Sequence, residues 1–301
     1  MAEPLVSNVS DTARWVAVYR AWESARPDAL FSDPFADRLA GERGRAIAAR
    51  APRQVRSGWP MVVRTKLMDD LVLASVRDGC DCVLNLAAGL DTRPYRLALP
   101  PALSWIEADL PGMVEEKDKL LAGEEPVCAL PREPIDLADQ TKRSAFLDRV
   151  VRNATKVLII TEGLLGYLDS DVVRSIGQDL LGRPAVRWWL LDVASPAILK
   201  MMQRGMGENL TNAPLKFAPA DGVAFFETLG WKACTSVKSS KRRFAFVEFR
   251  FSSVPWPFCL SPIHASRVRP AGRQLYASGV ENQESRRGNH AERRQRQPVF
   301  G

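Results

Sequence analysis

The sequence predicts an α/β fold: a mostly parallel sheet with helices on both faces, preceded by amino-terminal helices. Two observations carry this expectation. Short, continuously apolar runs alternate with helical intervals from residue 81 onward, and strands of that kind belong to sheets buried on both faces. A hydrophobic content of 46% is enough for a packed core in a chain of 301 residues. Ligands of such sheets sit beyond the carboxyl ends of the strands, where strand order reverses.

The elements follow in order. Residues 10–26 read as a helix, with Ser10 or Asp11 as cap and Trp15, Val18, Tyr19 and Trp22 on one face. Pro27 and the Asp33-Pro34 pair mark a turn. A second helix is expected over 61–78, with Val63, Leu67, Leu71 and Ala74 on its buried stripe and Gly79 as its stop. Strands are then expected at 81–87, 103–109, 127–130, 156–161 and 186–193. Helices are expected at 111–122, 139–152 and 170–181. After Trp231 the pattern weakens, and residues 241–251 could form one last strand. The predicted organisation is one domain over 1–250, with a helical cap over about 1–79. Residues 251–301 are basic, aperiodic and expected to be disordered.

Composition narrows the function. The five cysteines, Cys80, Cys82, Cys128, Cys234 and Cys259, are scattered and form no Cys-x-x-Cys pair. Reduced thiols in a cytoplasmic protein account for them more simply than a disulfide scaffold or a zinc site, and no metal is expected. The two histidines, His264 and His290, lie in the tail, leaving the body without one for a triad or a metal. The net charge of +7 also belongs to the tail: residues 238–301 carry 13 Lys and Arg against 4 Asp and Glu, and the rest carry 29 against 31. A solvated tail explains this better than a nucleic-acid surface. The longest apolar runs fall well short of the ~20 residues of a membrane span, and the first ten residues lack the pattern of a secretory signal.

The sharpest local signal is Asn85-Leu86-Ala87-Ala88-Gly89-Leu90-Asp91-Thr92-Arg93 at the exit of the first strand. Small residues there let the backbone approach a ligand, although an ordinary strand-to-helix turn would read the same way. Asp109 ends the second strand, where an acid can accept both hydroxyl protons of a ribose. The loop has one glycine where a dinucleotide fingerprint has three. A pyrophosphate needs several free backbone N–H groups at a helix start, so a phosphate-free nucleoside such as S-adenosylmethionine fits better than NAD.

Arg64-Thr65-Lys66, the run Asn85 to Leu97, Glu107-Ala108-Asp109-Leu110-Pro111, Asp136-Leu137 and Thr161-Glu162-Gly163-Leu164-Leu165-Gly166-Tyr167-Leu168 occur in that order. In this combination the chain resembles the leucine carboxyl methyltransferase family, in its bacterial branch, over roughly residues 7–231. Ala87 stands where the family commonly has glycine, and the chain after about Ser236 departs from the family's usual ending. The resemblance implies a Rossmann-like class I methyltransferase sheet and S-adenosyl-L-methionine as cofactor. Arg64 would then pair with the cofactor's carboxylate, and the Gly89 carbonyl would face its amino group. Asp109 would hold the ribose, Asp136 and Leu137 the adenine, and Glu162 the amino group from the other side. A buried strand-end carboxylate such as Glu162 is costly without a partner, which a cationic ligand would supply. Tyr167 could line the acceptor pocket or simply pack, Asp91 and Arg93 could pair within the loop, and Tyr19 or Arg20 could reach the cofactor's carboxylate or cover the site as a lid. No catalytic residue is singled out.

The expected reaction is O-methylation of a carboxylate or hydroxyl on a small molecule or peptide. The missing histidine tilts the choice slightly towards a carboxylate, which needs no base. A catalytically degenerate S-adenosylmethionine-binding protein and an NAD(P)-linked oxidoreductase are the alternatives. Oligomeric state is not legible.

Overall fold

The computed structural model describes residue 6 and residues 9–51, 56–206, 213–238 and 244–251. The chain divides into two compact units, Met1–Ile263 and His264–Gly301, and every described residue lies in the first. The expectation of a disordered tail therefore falls outside the described residues.

Three helices come first: α1 (Val9–Ser24), α2 (Ala36–Arg50) and α3 (Trp59–Arg77). The sheet and its crossovers follow as β1 (Cys82–Leu86), α4 (Arg93–Arg96), β2 (Ser104–Asp109), α5 (Pro111–Leu120), β3 (Arg132–Pro134), α6 (Gln140–Val150), β4 (Val157–Thr161), α7 (Ser170–Leu181) and β5 (Val186–Ala194). A single 3-10 turn, Leu165–Tyr167, leads from β4 towards α7. The described chain closes with α8 (Pro196–Met206), α9 (Ala224–Glu227), β6 (Trp231–Lys238) and β7 (Phe244–Phe251).

The seven strands lie in the order β3-β2-β1-β4-β5-β7-β6. The first five are parallel, and β7 runs antiparallel between β5 and β6. Strand order reverses between β1 and β4, so their carboxyl ends open the crevice where ligands of such sheets bind. Side chains alternate between two cores. Leu84, Ile159 and Trp189 face Phe146, Ile176 and Phe226 on one side, whereas Val83, Leu158 and Trp188 face Met68, Leu71 and Val72 of α3 on the other. Because both faces are covered, β1 and β4 are buried at every position. A third cluster joins Trp15, Val18 and Tyr19 of α1 to Leu39 and Ile47 of α2, forming the cap.

Several expectations need correction. Trp22 is 48% exposed and does not join the buried face of α1; its ring meets Tyr19 edge-on at 5.6 Å. Helix α2 was not foreseen, because Gly41 interrupts it with a non-helical φ of 57° and breaks the apolar period. On α3 the buried residues include Arg64, Thr65 and Asp69 as well as the apolar ones, and Val63 is only half-buried. The third strand lies at Arg132–Pro134, not at 127–130, where only one bridge, Ser104 to Ala129, forms. As an edge strand it is short and polar, and an apolar search passes over it. Helix α8 was likewise not foreseen, and β6 and β7 extend the sheet where the sequence pattern fades. Among the described residues, no helix is long and apolar enough to cross a membrane.

Candidate active site

The ends of β1, β2, β3, β4 and β5 open into one cavity of about 720 Å³, roofed by α1 and α3 and closed on one side by α8. Arg64, Gly89, Asp109, Asp136, Leu137 and Glu162 all line it. Residues up to 98 positions apart in sequence are thus brought together by the parallel topology, which delivers every strand end to the same edge.

At the β1 exit the backbone turns twice through the left-handed region, at Ala87 (φ 56°) and at Gly89 (φ 49°). The Gly89 N–H donates to Asp109 Oδ2 at 2.7 Å, and the Leu110 N–H donates to Oδ1 at 2.7 Å. The Asp109 carboxylate has no cation within ion-pair distance among the described residues, and burial raises its pKa above the usual aspartate value despite the two N–H groups. A side chain at position 89 would meet Ala13 Cβ of α1 at 3.4 Å. Loop, acid and cap are therefore in close approach. Asp136 is exposed and accepts the Ala138 N–H at 2.9 Å, and Leu137 beside it is buried.

Arg64 reaches down from α3 between two strand-end acids. Its Nη1 donates to Asp192 Oδ2 at 3.0 Å, and its Nε lies 2.9 Å from Glu162 Oε1. That second approach is off the N–H axis, so the buried Nε has no hydrogen-bond partner, and the attraction there is chiefly that of the charges. Asp192 Oδ1 in turn accepts the Gly163 N–H at 2.7 Å. No acceptor among the described residues takes the Arg64 Nη2 protons, and a Cβ at Gly163 would lie 4.0 Å from that atom.

Glu162 Oε2 pairs with Arg93 Nη1 at 2.8 Å. Burial pushes the Glu162 carboxyl up, but Arg93 and Arg64 outweigh it and hold its pKa below the usual value. The expectation that Glu162 lacks a protein partner is thus corrected: two arginines supply its counter-charge, so it demands no cationic ligand. The network continues away from the cavity. Arg93 Nε donates to Asp69 Oδ1 at 2.7 Å, and Arg96 Nη1 donates to Asp69 Oδ2 at 2.6 Å. Within the loop Arg93 pairs with Asp91 at 2.8 Å, and Asn85 Nδ2 donates to the same carboxylate at 2.7 Å. Arg20 of α1 donates to Asp33 Oδ2 at 2.8 Å and to the Leu90 carbonyl at 2.6 Å, so it lines the cavity while tied to the β1 loop. Tyr19 does not line the cavity; its hydroxyl accepts the Trp15 Nε1–H at 2.7 Å.

Sequence reasoning missed Asp192, Asp69, Asp33 and Arg96. Asp192 had a signal, since it lies near the carboxyl end of the apolar β5, as Asp109 ends β2 and Glu162 directly follows β4. Asp69 and Asp33 had none, because a buried acid inside a helix or turn looks like an exposed one until its arginine is placed.

Tyr167 faces the cavity beside Thr12 of α1, which hydrogen-bonds its phenol, and burial raises the tyrosine pKa. The remaining wall is apolar, with Trp15 and Val16 of α1, Met61 of α3, Ile198 and Met202 of α8, and Leu215.

A parallel sheet in this strand order, extended by an antiparallel β7, with a one-glycine loop at β1 and an acid closing β2, defines the class I S-adenosylmethionine-dependent methyltransferases. Comparison with known proteins agrees. The model of the leucine carboxyl methyltransferase family matches residues 13–180, and the chain belongs to that family. A protein of Mycolicibacterium smegmatis, named as a proposed S-adenosyl-L-methionine-dependent methyltransferase, is 30% identical over 266 residues, covering 80% of this chain and 88% of its own. A similarly named protein of Frankia alni is 32% identical over 239 residues, covering 72% of this chain and 83% of its own. Among solved structures, a proposed methyltransferase of Thermobifida fusca superposes with a TM-score of 0.57 at 14% identity, over 82% of this chain and 96% of its own. A DUF574 family protein of Streptomyces avermitilis gives 0.54 at 16% identity, over 80% and 97%. The protein is an S-adenosylmethionine-dependent methyltransferase, and the oxidoreductase alternative falls.

Proposed function

We infer that the cavity binds S-adenosylmethionine through Arg64, Gly89, Asp109, Asp136, Leu137 and Glu162 and directs its methyl group to an oxygen of a carboxylate or hydroxyl acceptor. The observation that carries this reading is the convergence of all six residues on one cavity at the strand ends. The donor set suits the cofactor. Asp109 offers a carboxylate held by two N–H groups for a pair of ribose hydroxyls, and the Arg64 Nη2 is available for a carboxylate. The exposed Asp136 can accept from an exocyclic amine. In place of the cationic-ligand argument, Glu162 contributes by locking Arg64 and by adding negative potential near an ammonium group.

When bound, the cofactor supplies a methyl group already activated by the positive sulfur, which passes to the acceptor oxygen as the carbon–sulfur bond breaks with its electron pair on sulfur. The chain's own part is orientation and exclusion of water. Arg64, clamped between Glu162 and Asp192, gives a fixed anchor, and the cap helices α1 and α3 cover the strand ends. A carboxylate acceptor arrives with no proton to lose. For a hydroxyl, the lining carboxylates are the basic groups the described residues offer for its proton, since no histidine is among the residues that line the cavity.

The reading extends to a single catalytic domain over residues 1–250, capped by residues 1–79. It also places the protein in the cytoplasm, in keeping with the thiols of Cys80, Cys82 and Cys128. Calorimetric titration with S-adenosylhomocysteine tests the site: one molecule should bind per chain, and at least ten-fold more weakly to Asp109→Asn. No binding to the native protein, or equal binding to the variant, overturns the assignment.

A further inference from the structure

The cavity has two unlike compartments. The charge gathers about the strand ends, where Arg20 of α1 and Arg64 of α3 also reach: four arginines and five carboxylates line the cavity among the described residues, and every one of those arginines is ion-paired to at least one carboxylate. The other side is built from Trp15, Val16, Met61, Ile198, Met202 and Leu215, and its polar features include the Tyr167 phenol and Thr12. Thr12, Trp15 and Val16 fall three and four residues apart on α1, and Ile198 and Met202 four apart on α8, so each helix turns one face to this compartment.

Among the described residues, an anion placed here would meet no unmatched cation except the Arg64 Nη2, which the cofactor's carboxylate takes in the reading above. It would also add to a site whose carboxylates already outnumber its arginines, and an uncompensated buried charge is costly. We propose that the acceptor compartment selects an uncharged, mainly apolar small molecule that presents a hydroxyl towards Tyr167 and Thr12, rather than a carboxylate or a peptide carboxyl terminus. The two methionines suit this role because their flexible thioethers adapt to apolar bodies of varied outline. The inference rests on the cofactor reading and narrows it from two acceptor classes to one: the hydroxyl oxygen gains the methyl carbon, the sulfur keeps the electron pair of the broken bond, and the hydroxyl proton passes to a lining carboxylate or to solvent.

A matched pair of probes tests it. 1-Naphthol and 1-naphthoate share the same fused rings and differ in charge near neutral pH. Their binding to the full chain saturated with S-adenosylhomocysteine can be followed by their own fluorescence. The expected result is one naphthol per chain, bound at least ten-fold more tightly than naphthoate. Met202→Trp and Val16→Phe, which fill the compartment from two helices, should each weaken naphthol at least ten-fold while changing S-adenosylhomocysteine affinity less than two-fold. Retained nucleoside affinity shows that a variant is folded. Equal or tighter binding of naphthoate overturns the proposal, as does failure of naphthol to bind a protein that binds S-adenosylhomocysteine. Naphthol affinity indifferent to both substitutions also overturns it. A protein that binds no S-adenosylhomocysteine overturns the cofactor reading first and this inference with it.

Discussion

The two walls of the cavity solve different problems. The strand-end wall is a buried lattice of charges in which Arg64, Arg93 and Arg96 share Glu162, Asp192, Asp91 and Asp69. The facing wall is apolar and rests on methionine and isoleucine. A fixed ligand with many polar groups rewards a rigid, largely paired wall, because each donor must already point where it is needed. An apolar acceptor of the kind proposed asks chiefly for shape and low polarity. Buried ion pairs are weak evidence for stability as such, but removal of one partner leaves an uncompensated charge. The charged wall should therefore be brittle and the apolar wall tolerant.

The largest expected effect comes from Asp69→Ala. Asp69 is the shared acceptor of Arg93 and Arg96, and all three side chains are nearly inaccessible. Loss of that carboxylate should cost about 3–5 kcal/mol of unfolding free energy, read by urea denaturation. A cost under about 1 kcal/mol, the value of an exposed pair, would show that the lattice is not tight. The Met202→Trp variant provides the contrast and should change stability far less.

Glu162→Gln comes next, at about 1.5–3 kcal/mol near neutral pH, the range for hydrogen bonds to charged groups. Its sign with pH follows from the lowered pKa of Glu162. The native carboxyl contributes stability above the unfolded-state value near 4.5 and loses it as pH falls through the lower folded value. The gap in melting temperature between native and variant chains should narrow as pH drops below that point. A constant gap would mean that Glu162 contributes by packing and not by charge.

Asp109 is a half-buried acid of this wall without a counter-ion among the described residues, and its pKa moves the opposite way. S-adenosylhomocysteine affinity should fall about ten-fold in Asp109→Asn, or about 1.4 kcal/mol. In the native protein it should begin to weaken, on acidification, at a higher pH than an ordinary aspartate would produce, since burial raises this carboxyl. The variant should lose that dependence. Titration calorimetry across the acid range reads both.

The contrast between the walls also explains what was legible beforehand. The apolar strands β1, β2, β4 and β5 announce themselves because both faces are covered, and their exits carry the small residues and acids of the strand-end wall. Elements whose role is to cover or to end the sheet have weaker signatures: α2 is broken by Gly41, β3 is a three-residue edge, and β6 mixes small polar residues with apolar ones. The apolar wall was equally obscure. Ile198, Met202 and Leu215 lie far along the chain from α1, and nothing in their spacing relates them to Trp15 until the chain has folded.

The smallest effect probes strain within the charged wall. Ala87 holds a φ of 56°, where an L-residue with a Cβ pays about 1–2 kcal/mol. Its N–H is committed to the Ala108 carbonyl at 2.7 Å, so the turn has little freedom to relax. Glycine there removes the steric term but adds about 0.4–1 kcal/mol of backbone entropy to the unfolded chain. The balance favours Ala87→Gly by several tenths of a kcal/mol to about 1 kcal/mol, a small rise in melting temperature with no loss of S-adenosylhomocysteine affinity. Gly89 gives the complementary case, because a Cβ there would be both strained and 3.4 Å from Ala13. Gly89→Ala should therefore destabilise the loop while Ala87→Gly relieves it. If both substitutions lower stability equally, the left-handed turn at Ala87 is not strained, and the loop is held by packing from the cap instead of by its own backbone.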